Sequence, residues 1–167
     1  MIRSRSIGAA LATAALAATT VVAASGSASA VAEPAFSIKN ANSGQCLLVQ
    51  GLENGNTAVQ YECGEWADQK WVLDETYVEH PGGYRLKNVN SGKCLVVQGL
   101  ENGNTAMQYE CGEWRDQLWQ KIAVTEDTFK LRNLNSRKCL VVQGTDHGSR
   151  VFQYDCENYV DQEWFIR

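Results

Sequence analysis

The sequence predicts an all-β protein built from three copies of one unit. A block of constant length that begins at a cysteine and ends at a tryptophan occurs three times, from Cys46 to Trp71, from Cys94 to Trp119 and from Cys139 to Trp164. Short runs in which apolar and polar residues alternate precede each block, and no segment has a helical period of useful length. Alternation with a period of two indicates strands, and a repeat of this size is typical of a supersecondary unit that packs against its own copies.

The first thirty of the 167 residues have the layout of a secretory leader. They open with two arginines, continue through an alanine-rich apolar stretch and end with small residues at Ala28 and Ala30. This order is typical of a signal peptide, whereas an uncleaved membrane anchor is the alternative. We therefore expect residues 1–30 to be a signal peptide and residues 31–167 to form one domain.

The charge of the processed chain excludes two classes of partner. Arg3 and Arg5 leave with the leader, so 13 basic residues remain against 19 acidic ones, a net charge of −6. Binding to nucleic acid requires a basic stripe that displaces counterions, and the chain has no such cluster. We therefore expect no nucleic-acid partner, and no membrane partner after the leader is cleaved.

Each unit is predicted to form four short strands. In the first unit, the alternating run 36–40 predicts a strand, Asn42 to Gly44 a turn, and the cysteine begins the next strand. The stretch 53–56, with asparagine and glycine, predicts a second turn before another strand at 59–63. The three units extend over approximately these ranges: 36–75, 84–122 and 129–167.

The six cysteines fit one disulfide per unit. In an exported protein, thiols are expected to be oxidised, and six of them allow 15 pairings. The two cysteines of each unit are 17 positions apart, which favours the pairs Cys46–Cys63, Cys94–Cys111 and Cys139–Cys156. Zinc is the competing interpretation, but no C-x-x-C pair is present and no histidine accompanies a cysteine pair. We expect no metal and no cofactor.

A Gln-x-Trp motif closes every block and carries a family resemblance. With the Cys-Leu-x-Val strand and an aromatic residue before the second cysteine, it resembles the ricin B-chain type β-trefoil lectins, which include secreted bacterial carbohydrate-binding modules. The resemblance covers residues 36–167 and implies a threefold barrel closed by a cap of three hairpins. It also implies up to three shallow sugar sites, one per unit. The motifs are Gln69/Trp71, Gln117/Trp119 and Gln162/Trp164.

Most repeated residues have a structural explanation. Trp71, Trp119 and Trp164 are expected in the core, because a large aromatic side chain at the same place in every unit supplies buried area. The glutamine of each Gln-x-Trp motif is expected to fix loop backbone. Strict alternation would also bury the glutamines before the tyrosines, which would require partners for their amides or a bulge in the strand. These are Gln60, Gln108 and Gln153.

The face beside each disulfide is the candidate sugar site, although it departs from the family pattern. The aspartate that the family places two positions after the first cysteine is replaced by Leu48, Val96 and Val141. A tyrosine is kept as a ring platform, an aspartate precedes each Gln-x-Trp motif, and a glutamine ends the cysteine strand. The candidate residues are Tyr61, Asp68 and Gln50; Tyr109, Asp116 and Gln98; and Tyr154, Asp161 and Gln143.

Two alternatives remain open at this face. The tyrosines and aspartates could bind sugar, or an apolar cluster of the Leu48, Val59 and Tyr61 type could fill the former site. A further aromatic residue in the following loop either lies over the cap or forms a second wall for a ligand ring. These residues are Trp66, Trp114 and Tyr159.

The sequence favours binding over catalysis. Acid pairs such as Glu62 with Asp68 are the minimum for glycoside hydrolysis, but they recur in every unit, and triplication suits multivalent binding. We expect a secreted, extracellular monomer that binds a polysaccharide or glycan weakly at several sites and is not an enzyme. The alternative is a trefoil that has lost sugar binding and acts as a protein-binding module or enzyme inhibitor. Because units one and two are nearly identical, their sites are expected to share specificity.

Overall fold

A computed structural model describes residues 34–75 and 82–167; the predicted leader lies outside the described residues. Each unit contributes four strands, as the sequence predicted. In chain order, β1 to β12 are Phe36–Asn40, Cys46–Val49, Ala58–Tyr61, Lys70–Asp74, Arg85–Asn88, Cys94–Val97, Ala106–Tyr109, Trp119–Ala123, Phe129–Asn133, Cys139–Val142, Val151–Tyr154 and Trp164–Ile166. A short 3-10 helix precedes the last strand of each unit, at Ala67–Gln69, Arg115–Gln117 and Val160–Gln162. No helix in these two stretches has the length and hydropathy of a membrane span.

The first and last strands of the three units form a closed barrel. Antiparallel pairing joins β1 to β4, β4 to β5, β8 to β9, β9 to β12 and β12 back to β1. The remaining gap, between β5 and β8, is closed by a bridge in which Tyr84 and Trp119 exchange backbone hydrogen bonds of 3.0 and 2.8 Å. Closure leaves these six strands without a free sheet edge.

The second and third strands of each unit form a hairpin, and the three hairpins make up the cap. In the first hairpin, Cys46 pairs with Tyr61 and Leu48 pairs with Val59. The β6–β7 and β10–β11 hairpins have the equivalent register. A barrel capped by three hairpins confirms the predicted β-trefoil.

Three tryptophans at the starts of the closing strands tie the barrel to the cap. Trp71, Trp119 and Trp164 are each 0% exposed. Each indole N–H donates to a backbone carbonyl of the neighbouring hairpin strand, at Leu47, Leu95 and Leu140 over 3.0 to 3.1 Å. The buried indole therefore supplies apolar area and also satisfies its one polar atom.

One disulfide lies within each unit, and the pairing predicted from the spacing is confirmed. Each bridge connects the first residue of the hairpin to the loop that follows the hairpin. The bridges are Cys46–Cys63, Cys94–Cys111 and Cys139–Cys156. Closing a loop of this length stabilises a fold by about 3 kcal/mol in the chain-entropy model.

The buried glutamines of the cap find their partners in the adjacent unit, without a bulge. The Gln108 amide donates to the carbonyls of Gly51 and Glu53, both at 3.1 Å, and its oxygen accepts the Ser91 hydroxyl at 2.7 Å. Gln60 and Gln153 make the equivalent contacts, and all three are 0% exposed. A buried amide with its groups paired avoids the cost of burying a polar group.

Backbone hydrogen bonds around these glutamines link the hairpins in a ring. The tip of the first hairpin bonds to the second, since the Gly55 N–H donates to the Gln108 carbonyl at 2.8 Å and the Gln108 N–H donates to the Asn56 carbonyl at 3.0 Å. The second tip bonds to Gln153 and the third tip to Gln60 in the same manner. Every hairpin tip therefore reaches the unit that follows it around the barrel.

Candidate functional site

Three equivalent depressions lie on the outer face of the hairpins, one per unit. Sites one, two and three have volumes of about 280, 190 and 250 Å³. Site one is lined by Leu48, Gln50, Tyr61, Trp66, Asp68 and Gln69; site two by Val96, Gln98, Tyr109, Trp114, Asp116 and Gln117; site three by Val141, Gln143, Tyr154, Tyr159, Asp161 and Gln162. Each depression is smaller than the ~300–1,000 Å³ of a typical drug-sized pocket.

The structure brings together every candidate residue named for each unit. The tyrosine, the aspartate and the strand-end glutamine line one depression in all three units, and the loop aromatic forms its wall. Leu48 is only 2% exposed and forms the floor, whereas the Tyr61 side chain is 43% exposed. The apolar residues therefore lie beneath the depression and do not fill it.

The tyrosine of each site is the last residue of its hairpin, and its ring is exposed. Side chains alternate along β3, so that Ala58 and Gln60 are buried and Tyr61 faces outward. Tyr109 and Tyr154 end their strands in the same way, with 37% and 39% of the residue exposed. An exposed ring of this kind offers an apolar face to a ligand.

The backbone of each aspartate is held by an asparagine from another unit. The Asn88 amide donates to the Asp68 carbonyl at 2.8 Å, and its oxygen accepts two backbone N–H groups of its own turn. Asn133 holds Asp116 and Asn40 holds Asp161 in the same way, at 2.7 and 2.9 Å. Sequence reasoning missed these asparagines, although they recur at the end of the first strand of every unit.

One carboxylate oxygen at each site is buried without a partner. The Oδ1 atoms of Asp68, Asp116 and Asp161 find no hydrogen-bond donor among the described residues. Desolvation raises the pKa of all three carboxyls, and nearby backbone N–H groups offset part of that rise. A desolvated carboxylate costs the folded state free energy when it is ionised.

The Gln-x-Trp glutamine fixes the loop that carries the aromatic wall. The Gln69 amide donates to the Glu62 carbonyl and its oxygen accepts the Gly64 N–H, both at 2.8 Å. Gln117 and Gln162 make the equivalent pairs of bonds. The predicted role of these glutamines in fixing loop backbone is confirmed, and they also border the depressions.

The wall differs between the first two sites and the third. The Trp66 indole lies against the Gly64 backbone so closely that a Cβ at Gly64 would be 2.3 Å from the ring, and Gly112 with Trp114 repeats this arrangement. The third unit has Glu157 and Tyr159 at these positions. Because Gly64 and Gly112 have no side chain, the indole fits against the loop in sites one and two.

A family model supplies the identification. The ricin-type β-trefoil lectin domain-like family matches residues 21–109 and 67–154, and the first match alone covers more than half of the chain. The chain belongs to this family. Its members are lectin-like domains, and the matched residues include all lining residues of sites one and two and three of the six at site three.

Solved structures share the fold of this chain. The designed threefold-symmetric protein ThreeFoil is 26% identical with a TM-score of 0.75, and the match covers 79% of this chain and 96% of ThreeFoil. The hemolytic lectin CEL-III is 28% identical with a TM-score of 0.66, covering 78% of this chain and 29% of CEL-III. An exo-β-1,3-galactanase from Clostridium thermocellum is 24% identical with a TM-score of 0.75, covering 79% of this chain, and shares the fold. The match covers 29% of that galactanase chain. No curated protein matches the sequence.

Changing the site aspartates of this lectin-like domain to asparagine should increase its stability. Because the pKa values are raised, the folded state holds these protons more tightly than the unfolded state does. The ionised carboxylates therefore cost the folded state free energy above the raised pKa, and this cost disappears as the pH falls through it. We expect Asp116→Asn to raise the free energy of unfolding at pH 7 and to reduce its dependence on pH in the acidic range.

Denaturant unfolding measured between pH 3 and pH 8 tests this expectation. Asp127→Asn is the matched control, because Asp127 lies in an exposed loop away from the depressions. Equal stability changes for the two variants, or a loss of stability in Asp116→Asn at pH 7, would show that desolvation of the site carboxylate has no net cost.

Proposed function

We propose that the protein is a secreted carbohydrate-binding module with three weak, equivalent sites. The observation that carries this proposal is the threefold combination of an exposed tyrosine ring with a partly exposed aspartate that lines the same depression. Sugars match this combination, because a pyranose has an apolar face and hydroxyl groups that donate hydrogen bonds. Membership of the lectin-like family supports the same function.

In the proposed complex, each depression takes one sugar ring. The ring packs on Tyr61 with Trp66 as a side wall, while the Asp68 carboxylate accepts a hydroxyl hydrogen bond and Gln50 adds polar contacts. A hydrogen bond to an ionised carboxylate is stronger than one between neutral groups. Because the depressions are small and open, affinity per site should be low, and repetition on a polymer supplies avidity.

Secretion is supported by two features. The leader of residues 1–30 has the order of a signal peptide, and all six cysteines of the described chain are paired in disulfides. Disulfides of this kind persist in oxidising compartments. We infer that the processed domain, residues 31–167, acts as an extracellular monomer.

In this proposal, the protein binds glycans without hydrolysing them. Acid pairs that could resemble a glycosidase centre occur in every unit, and Glu62 is an exposed residue outside the lining of site one. A hydrolase needs one preorganised cleft with two carboxyl groups of distinct roles. Three copies of one open depression fit repeated binding better.

Binding of the processed protein to insoluble polysaccharides tests this function. We expect retention on at least one of cellulose, chitin, xylan, mannan and β-1,3-glucan, and we expect a triple change to alanine at Tyr61, Tyr109 and Tyr154 to abolish it. The matched control changes three exposed apolar residues outside the depressions to alanine: Leu52, Leu100 and Val124. Circular dichroism should show that both triple variants remain folded.

Retention that survives the tyrosine changes would contradict binding at the depressions. The absence of retention on every polysaccharide, and on a broad panel of soluble glycans, would favour the second candidate, a protein-binding or inhibitory trefoil. One observation favours that candidate: Leu48, Val96 and Val141 occupy the positions of the family's usual aspartate. Exposed tryptophans such as Trp66 and Trp114 are also common at protein interfaces.

A further inference from the structure

A hairpin tip from another unit lies beside the tyrosine of each site. The Asn54 oxygen, at the tip of the first hairpin, accepts the N–H of Glu110, the residue after the site-two tyrosine, at 3.0 Å. At site three, Asn102 accepts the Asp155 N–H at 2.9 Å and donates to the Asp155 carboxylate at 2.8 Å. The tip residue of one unit therefore lies beside the tyrosine strand of the next.

At site one, the tip residue is a histidine. His147 occupies the position in the third hairpin that asparagine has in the other two. Its ring packs edge-on against Tyr61, with the ring centroids 4.3 Å apart and an interplanar angle of 76°. No hydrogen bond joins the imidazole to another residue in the described part of the chain, and His147 is exposed. Its two ring nitrogens are thus available beside the platform.

The tip is one of two accessible differences beside sites one and two, the other being Ala67 in the first loop and Arg115 in the second. Five of the six lining residues are of the same type in the two sites. The sixth is the floor, Leu48 in one and Val96 in the other, and both are buried. The sequence predicted shared specificity because each unit was compared with its own copies, whereas the tip residue comes from a different unit.

We propose that His147 is a specificity-determining residue of site one and extends that site to a second sugar unit. The inference rests on the proposed function. One ring packs on Tyr61, and the adjoining ring of the same glycan meets the imidazole. A neutral imidazole offers one donor and one acceptor to hydroxyl groups. At site two, the corresponding asparagine has its oxygen engaged by backbone.

Proteins with one intact site allow the inference to be measured. A Tyr109→Ala, Tyr154→Ala protein keeps site one, and a Tyr61→Ala, Tyr154→Ala protein keeps site two. Calorimetry or NMR titration would compare five monosaccharides with their β-1,4-linked dimers: galactose, mannose, xylose, glucose and N-acetylglucosamine. For a sugar that binds both, site one should prefer the dimer over the monomer by about threefold more than site two does, the gain of one net hydrogen bond.

Exchanging the tip residues provides the matched control. His147→Asn in the site-one protein should reduce the dimer preference to that of site two, because asparagine is the residue that the other tips carry. Asn54→His in the site-two protein should raise its preference toward that of site one. A residue that only stabilised the cap would not transfer a preference between sites.

The outcomes separate this inference from the proposed function. If both single-site proteins bind with the same preference for dimer over monomer, the role of His147 is wrong while glycan binding stands. The same holds if His147→Asn leaves the dimer preference of site one unchanged. If neither protein binds any sugar of the panel, and the unaltered protein binds no polysaccharide, the proposed function fails and the role of His147 fails with it.

Discussion

Replacing Gln108 by leucine should lower the free energy of unfolding by about 3–5 kcal/mol, because several buried groups would lose their partners together. The Gln108 amide satisfies two carbonyls of the first hairpin tip and accepts the Ser91 hydroxyl. Leucine has a similar size but cannot donate or accept. The loss should be measured by chemical denaturation of the processed, oxidised protein.

Gln98→Leu is the matched control for this change. It makes the same substitution at an exposed position directly after β6, in the same unit. Substitutions on the surface usually alter stability by less than about 0.5 kcal/mol. A Gln108→Leu protein as stable as the control would contradict the conclusion that buried amides lock the hairpins together. Equivalent losses at Gln60 and Gln153 would show that the lock is threefold.

Reducing the three sites to one should weaken retention on an insoluble polysaccharide by about 100-fold or more. Rigidly linked sites make the second and third binding events intramolecular, which typically raises overall avidity by 10²–10⁴. Depletion isotherms on the polysaccharide that retains the unaltered protein best would compare that protein with the Tyr109→Ala, Tyr154→Ala variant. Their slopes give the ratio directly.

A soluble sugar distinguishes avidity from damage to the remaining site. Affinity for a monosaccharide should be unchanged at site one in the two proteins, since one ring engages one depression. A decrease in polysaccharide retention of only about threefold would match the removal of two of three independent sites. It would contradict multivalent engagement. A loss of monosaccharide affinity would show instead that the sites depend on one another.

Features that repeat within one unit could be predicted from the sequence. The strands, the disulfides and the shared face of Tyr61 and Gln50 follow from alternation and from the matched cysteine spacing, whereas the family resemblance pointed to Asp68. These contacts lie within a hairpin or between neighbouring strands, where local periodicity fixes which side chains share a face. The structure therefore agrees with the sequence most closely inside each unit.

Features that cross between units could not be predicted. The sequence indicated that Gln60 turns inward but not that it meets Gly144, and it gave no reason to place Asn88 on Asp68. His147 and Tyr61 are likewise far apart in the chain. No local pattern encodes such contacts, because they depend on the order in which the three hairpins interlock around the barrel.

The raised pKa values and the loop glycines could not be predicted either, although the residues of each pair or site belong to one unit. Desolvation of Asp68 depends on the surrounding fold, and the close approach of Trp66 to Gly64 depends on the path of the loop. Both were visible in the sequence only as repeated residues without an assigned cause. Their recurrence at sites one and two is consistent with a shared binding geometry.

A crystal structure of the processed protein with the best-binding sugar of the panel tests the central claim most directly. The account predicts a sugar ring on the face of Tyr61, Tyr109 or Tyr154, with a hydroxyl within hydrogen-bond distance of the carboxylate of Asp68, Asp116 or Asp161. A sugar bound elsewhere on the trefoil, with the three depressions left empty at saturating concentration, would contradict it.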